Sequence, residues 1–200
     1  MSNSIIGTGT VGSTLASFFA NAKIEVGVAN TRGVDAVQPL ARKLGRSVQA
    51  QSLDDALKAD VIFFAVPFLR FKEVASALSD WTGKIVIDAT NAFKLPAEVL
   101  ETELNGRPSS EVNAERVPGA KLVKAFNHLA MQVLSSPVPA GGRRVLFISS
   151  DHKDASAKVA GLAEQLGFAP IEVGKIDEGG RLIQVGNALV FQDLIKFERT

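Results

Sequence analysis

The chain has 200 residues, of which 46% are hydrophobic and 22% charged, and a formal net charge of +1. This is ordinary globular composition, long enough to bury one sizeable core, and it excludes a disordered, collagenous or coiled-coil chain. With no cysteine and two histidines, disulfides, thiolate chemistry and a histidine-rich metal site are excluded as well.

The 22 basic and 21 acidic residues form no basic block, so no nucleic-acid or anionic-membrane surface is expected. Residues 5–22 are apolar enough to mimic a signal peptide, yet they lack a positive flank and are broken by Gly7, Gly9 and Gly12. No apolar run reaches the roughly 18 residues of a membrane span. The sequence reads as that of a soluble, cytoplasmic protein.

Short apolar runs alternate with longer amphipathic ones. Strands are predicted at 4–6, 24–29, 48–50, 61–66, 84–87, 122–126, 145–148 and 171–173. Helices are predicted at 11–22, 34–44, 53–58, 68–78, 127–134, 153–166 and 180–197, with 92–120 read as loop and short helices. Gly45 and Gly167 stand where helices should stop, and Ser52 and Asp151 where they should be capped. The run 61–66 is apolar throughout, the mark of a strand buried on both faces. This order implies a mostly parallel α/β sheet covered by helices on both faces. Residues 1–174 are expected to form its nucleotide-binding domain, and 175–200 a short C-terminal helical extension of the same compact unit.

Gly7-Thr8-Gly9-Thr10-Val11-Gly12 is a G-x-G-x-x-G run that follows a predicted strand and opens a predicted helix. In that context it marks a Rossmann-type, doubly wound sheet with a dinucleotide over the helix N-terminus. Gly7 is expected to make the tight turn, Gly9 to let a pyrophosphate approach the backbone, and Gly12 to let helix and sheet pack closely. Thr8, Thr10 and Val11 would add backbone or hydroxyl contacts. After the second strand, Asn30-Thr31-Arg32 stands where a carboxylate would bind the 2′-hydroxyl of NAD. A planar cation there suits a 2′-phosphate, so NADP(H) is the expected cofactor.

Two further strand ends should border the nicotinamide, Ala65-Val66-Pro67 and Asp88-Ala89-Thr90-Asn91. Asp88 itself reads as a cap or turn residue. Asn127 and His128 end another strand and are candidates on the side of a second substrate, although a lone histidine is more often structural. No metal site is expected.

These segments, with Leu122-Val123-Lys124-Ala125-Phe126-Asn127, Gly174 and Arg181-Leu182, resemble the NADP-dependent oxidoreductases related to coenzyme F-420:NADP reductase. The cytoplasmic reductase domains of the Steap metalloreductases are similar too. The resemblance implies hydride transfer between NADP(H) and a flat ring, coenzyme F-420 or a flavin such as FMN. It implies that Ala65–Pro67 and Asn127 lie near the rings, and that Arg181, Leu182 and the following helix form the acceptor pocket or the contact of a homodimer. His128 stands where many relatives have Thr, and the chain offers no tyrosine and few aromatics for stacking near the site. The same residues would also serve a non-catalytic NADP(H)-binding module, a redox sensor or regulatory subunit.

Overall fold

A computed structural model describes residues 1–197. Six strands, β1 (Asn3–Ile6), β2 (Val26–Ala29), β3 (Val48–Ala50), β4 (Val61–Phe64), β5 (Ile85–Asp88) and β6 (Lys121–Lys124), form one parallel sheet in the order β3-β2-β1-β4-β5-β6. That order is the doubly wound Rossmann arrangement, as the alternation of elements predicts. β2, β4 and β5 are buried at every position. Alternate residues feed opposite layers: Ile5, Phe63 and Ile87 enter one core cluster, and Ile6, Phe64 and Val86 the other.

The helices are α1 (Thr10–Ala22), α2 (Gln38–Leu44), α3 (Leu53–Ala56), α4 (Phe68–Ala75), α5 (Ala97–Leu104), α6 (Ser109–Glu115), α7 (Met131–Leu134), α8 (Lys153–Gln165) and α9 (Gly179–Leu182). A second sheet, β8-β7-β9, is built from β7 (Gly142–Ile148), β8 (Ala169–Glu172) and β9 (Ile195–Phe197). An antiparallel bridge between Lys124 and Ser149 joins it to β6. Among the described residues, no helix is long and apolar enough to cross a membrane.

Several elements differ from the sequence reading. The helix expected over 34–44 is a 3-10 turn (Val34–Ala36) followed by α2. Pro39 has no N–H and is tolerated only in a first helical turn, where amides lack a helical partner, so a new helix starts there. Asp151 does not cap α8. Its carboxylate accepts the Ile176 N–H at 3.2 Å, while His152 takes the cap position. The helix expected over 127–134 shrinks to α7. The C-terminal helix expected over 180–197 is instead α9, a series of turns, and the edge strand β9, which pairs antiparallel with β7. Gly186 at φ 92° and Phe191 at φ 64° take the left-handed conformation, which a helix does not tolerate. Residues 198–200 of the expected extension lie outside the described residues.

Candidate functional site

The glycine run sits at the carboxyl end of β1, beside β4, where the strand order reverses direction. Ligands of such sheets bind outside that crevice. Gly7 has φ 121°, and a Cβ on it would overlap the Ala65 carbonyl oxygen. A Cβ on Gly12 would overlap the Gly7 carbonyl oxygen. Gly9 differs: nothing lies within 4 Å of where its Cβ would be. It is also the N-cap of α1, with no side chain bonded to the exposed amides and no acidic residue in the first turn. The helix end is therefore open and partly positive, and only a missing side chain keeps an anion's approach clear.

A cavity of about 190 Å³ opens on one side of this loop. Its lining includes Gly7, Thr8, Gly9, Asn30 and Thr31, then Ala65, Val66, Pro67 and Arg70. Asn30 organises the rim. Its Nδ2 donates to Thr8 Oγ1 at 2.9 Å, and its Oδ1 accepts the Arg32 N–H at 2.8 Å. The Arg32 guanidinium reaches Thr8 Oγ1 at 3.5 Å, so the cation is held at the mouth in solvent.

A second cavity, about 240 Å³, lies on the other side. Thr10 and Val11 of α1 form one wall, Ala89 and Asn91 another, and Phe126, Asn127 and Met131 a third. Phe93 and Phe191 complete it, 50% and 63% exposed. Three rings thus converge on a site where the sequence shows few aromatics. Asn91 and Asn127 are joined twice: Asn91 Nδ2 donates to the Asn127 carbonyl at 2.8 Å, and Asn127 Nδ2 to Asn91 Oδ1 at 3.1 Å. Asn127 Nδ2 also donates to the Ile183 carbonyl at 2.8 Å, tying the C-terminal segment to the sheet edge. Among the described residues its Oδ1 has no partner.

The structure gathers Gly7, Thr8, Gly9, Asn30 and Thr31 at the first cavity and Thr10, Val11, Ala89, Asn91 and Asn127 at the second. Ala65–Pro67 line the first cavity rather than the second. Thr90 is 3% exposed and lies beneath the wall. His128 does not line either cavity. Its ring is fully buried, edge-on to Phe147 at 4.9 Å, and among the described residues neither ring nitrogen has a partner. Burial pushes its pKa down to about 4, opposed by the Asp193 carboxylate.

Asp88 is indeed a turn residue, accepting the Thr90 N–H at 2.9 Å, but it is also half of a buried ion pair with Lys124 at 3.1 Å. Burial pulls the Lys124 ammonium below the ordinary lysine range, against the pull of Asp88. The sequence reading did not assign Arg70, Phe93 or Phe191 to the site. Arg70 follows Pro67 by three positions, one helical turn, so its placement beside the first cavity was readable once α4 was placed. No local signal marks Phe191, whose placement depends on the non-helical C-terminal path.

The family described as "NADP oxidoreductase coenzyme F420-dependent" matches residues 4–92, the segment that builds the first cavity and the glycine loop. The rat metalloreductase STEAP3 is 30% identical over 117 residues, 58% of this chain and 23% of its own; human STEAP2 is 30% identical over 62% of this chain and 24% of its own. The chain thus spans about a quarter of the length of the curated relatives it matches. The crystal structure of a hypothetical protein from Sinorhizobium meliloti superposes with a TM-score of 0.91 at 44% identity, covering 98% of this chain and 96% of that one. The family match on the βαβ core and the full-length likeness to the Sinorhizobium protein agree with the site: the chain belongs to the family of coenzyme F420-dependent NADP oxidoreductases.

Proposed function

We propose that this protein is an NADP(H)-dependent oxidoreductase that passes a hydride between the nicotinamide and a small flat-ring acceptor, a deazaflavin such as coenzyme F-420 or a flavin such as FMN. One observation carries the reading: two cavities flank one glycine loop, the first beside Arg32 and the second lined by three phenylalanines. A dinucleotide laid across Gly9 would put its adenosine half in the first and its nicotinamide half at the second. The residues fit that group. The open N-terminus of α1 suits a pyrophosphate and Arg32, with Asn30 and Thr31, a 2′-phosphate.

When bound, NADPH supplies the hydride chemistry, and the chain's own work is to bind, orient and exclude water. Gly7, Gly9 and Gly12 shape the cradle, with Thr8, Thr10 and Val11 around it. Ala65, Val66 and Pro67 bound the adenosine side, while Ala89, Thr90 and Asn91 set the wall against the nicotinamide. Asn127 holds the acceptor side. Phe93, Phe126 and Phe191 offer faces and edges to a flat ring. His128 supports the segment carrying Phe191, whose N–H bonds to the His128 carbonyl at 2.8 Å. A cytoplasmic location and a homodimer belong to the same reading; exposed Leu194 and Phe197 support the second.

The test is anaerobic oxidation of NADPH by the purified protein with F-420 and FMN in parallel. Turnover with either supports the enzyme and names its acceptor. NADPH binding without turnover would replace the enzyme by the sensor or regulatory module.

A further inference from the structure

Lys124 ends β6 directly opposite Asp88 at the end of β5. Its side chain is 1% exposed, and that of Asp88 is 0% exposed. A buried ion pair at that depth does not by itself favour folding, because desolvation offsets the attraction. Its geometry suggests another use. The Lys124 ammonium donates to Asp88 at 3.1 Å and also to the Thr90 carbonyl at 2.5 Å. Asp88 Oδ1 accepts the Thr90 N–H at 2.9 Å, and Asn113 Nδ2 reaches Thr90 Oγ1 at 3.3 Å and Asp88 Oδ2 at 3.1 Å. All three polar groups of Thr90 are therefore held from below.

Thr90 lies between Ala89 and Asn91, which both face the second cavity. With Thr90 held, Asn91 can keep its double bond to Asn127. The Lys124 backbone also bridges Ser149 in both directions, at 2.8 and 3.0 Å, so the anchor is braced by the second sheet. Nothing in this network reaches the first cavity.

We infer that Lys124 is a positioning residue for the nicotinamide half of the dinucleotide: it fixes the Thr90 carbonyl and, through it, the Ala89–Asn91 wall. This inference rests on the dinucleotide reading proposed above. The two can fail separately.

The experiment compares binding of NADPH with binding of 2′,5′-ADP, which carries the adenosine half and the 2′-phosphate but no nicotinamide. The variant is Asp88→Asn with Lys124→Met. Both charges go together, so neither is left buried and unpaired. The amide introduced at position 88 keeps an oxygen for the Thr90 N–H, while the Thr90 carbonyl loses its donor. NADPH is expected to bind about tenfold more weakly, as for one lost buried hydrogen bond, with 2′,5′-ADP within about twofold of wild type. Asp88→Asn with Lys124→Gln, whose amide can still donate towards Thr90, is expected to recover part of the loss.

Equal loss for both ligands, or loss for neither, overturns the positioning role and leaves the dinucleotide reading standing. Wild-type protein that binds neither ligand overturns both. Should the methionine pair not fold, Asn113→Ala frees the Thr90 hydroxyl and leaves the Lys124–Asp88 pair in place. A loss confined to NADPH is again expected, and a shared loss or none overturns the role.

Discussion

The two cavities beside the glycine loop are built in different ways. The first is assembled from three βα turns within residues 6–74. The second draws on segments scattered from Thr10 to Phe191. A cavity made from turns near in sequence is set by local chain geometry. One made from segments far apart in sequence depends on the whole tertiary path. The first is accordingly the better place to recognise a part common to many ligands, and the second to recognise a particular acceptor.

The sharpest way to break this comparison is at the glycine loop. Gly12→Ala pushes a methyl into the Gly7 carbonyl, which belongs to the fixed turn. It is expected to destabilise the fold by about 3 kcal/mol, seen as a drop in the thermal midpoint. Gly9→Ala meets nothing within 4 Å and should leave that midpoint near wild type while weakening NADPH strongly, because its methyl stands where the phosphates approach. Normal NADPH affinity in Gly9→Ala would remove the loop from the binding site.

In the core behind Asn127, His128 gives a pH signature. Its folded pKa, about 4, lies below the unfolded value of about 6.5. The unfolded chain therefore binds the proton first as pH falls, so stability is highest above about 6.5 and is lost progressively towards 4. Full titration through that window is worth about 3 kcal/mol. The groups facing the ring are Phe147 and, at longer range, Asp193, which is paired with Arg144 at 2.7 Å. Unfolding measured from pH 7 to pH 4 should show this slope in wild type and lack it in His128→Leu. Parallel slopes in the two proteins would mean that His128 does not carry it.

The same contrast explains what could be read from the sequence. Local chemistry made the first half legible: the glycines, the all-apolar strands and Asn30-Thr31-Arg32 are near neighbours in the chain and meet through one turn each. Pro39 was legible in principle as a helix break, but the apolar periodicity around it reads as one helix. The second cavity was legible in part: Thr10, Val11, Ala89, Asn91 and Asn127 were expected at the site, Phe93 and Phe191 were not. Residues 180–197 have apolar spacing that fits a helix, yet Gly186 and Phe191 take left-handed turns and the chain ends as an edge strand on β7. That outcome is set by burial of Ile183, with Leu189, against Val145 and Phe147 of the second sheet, a tertiary effect with no local signature. His128 shows the same lesson in reverse. It stands beside Asn127 in sequence, but its ring turns into the core.

A third test sharpens the comparison at the rim of the first cavity. Arg32 is exposed and held by Asn30 and Thr8. Arg32→Glu replaces a cation beside the 2′-phosphate with a like charge. NADPH should weaken by about thirtyfold or more, consistent with loss of a charge-assisted bond, while NADH changes little. Equal weakening of the two would remove the 2′-phosphate from this position.

The smallest effect is expected at Arg70, and it decides which end of the ligand lies where. Arg70 lines the first cavity from α4, and its guanidinium is shared with Glu73 at 2.8 Å in solvent. That exposed pair adds little to stability, so Arg70→Ala should fold as wild type does. A guanidinium beside a purine contributes about 0.5–1 kcal/mol at an exposed site, a two- to fivefold change in affinity. The loss should appear equally for NADPH and for 2′,5′-ADP, because both carry the adenine. A loss for NADPH alone would put the nicotinamide in the first cavity and reverse the ligand. No loss for either would mean that the adenine lies beyond the reach of α4, with Arg32 alone holding that end.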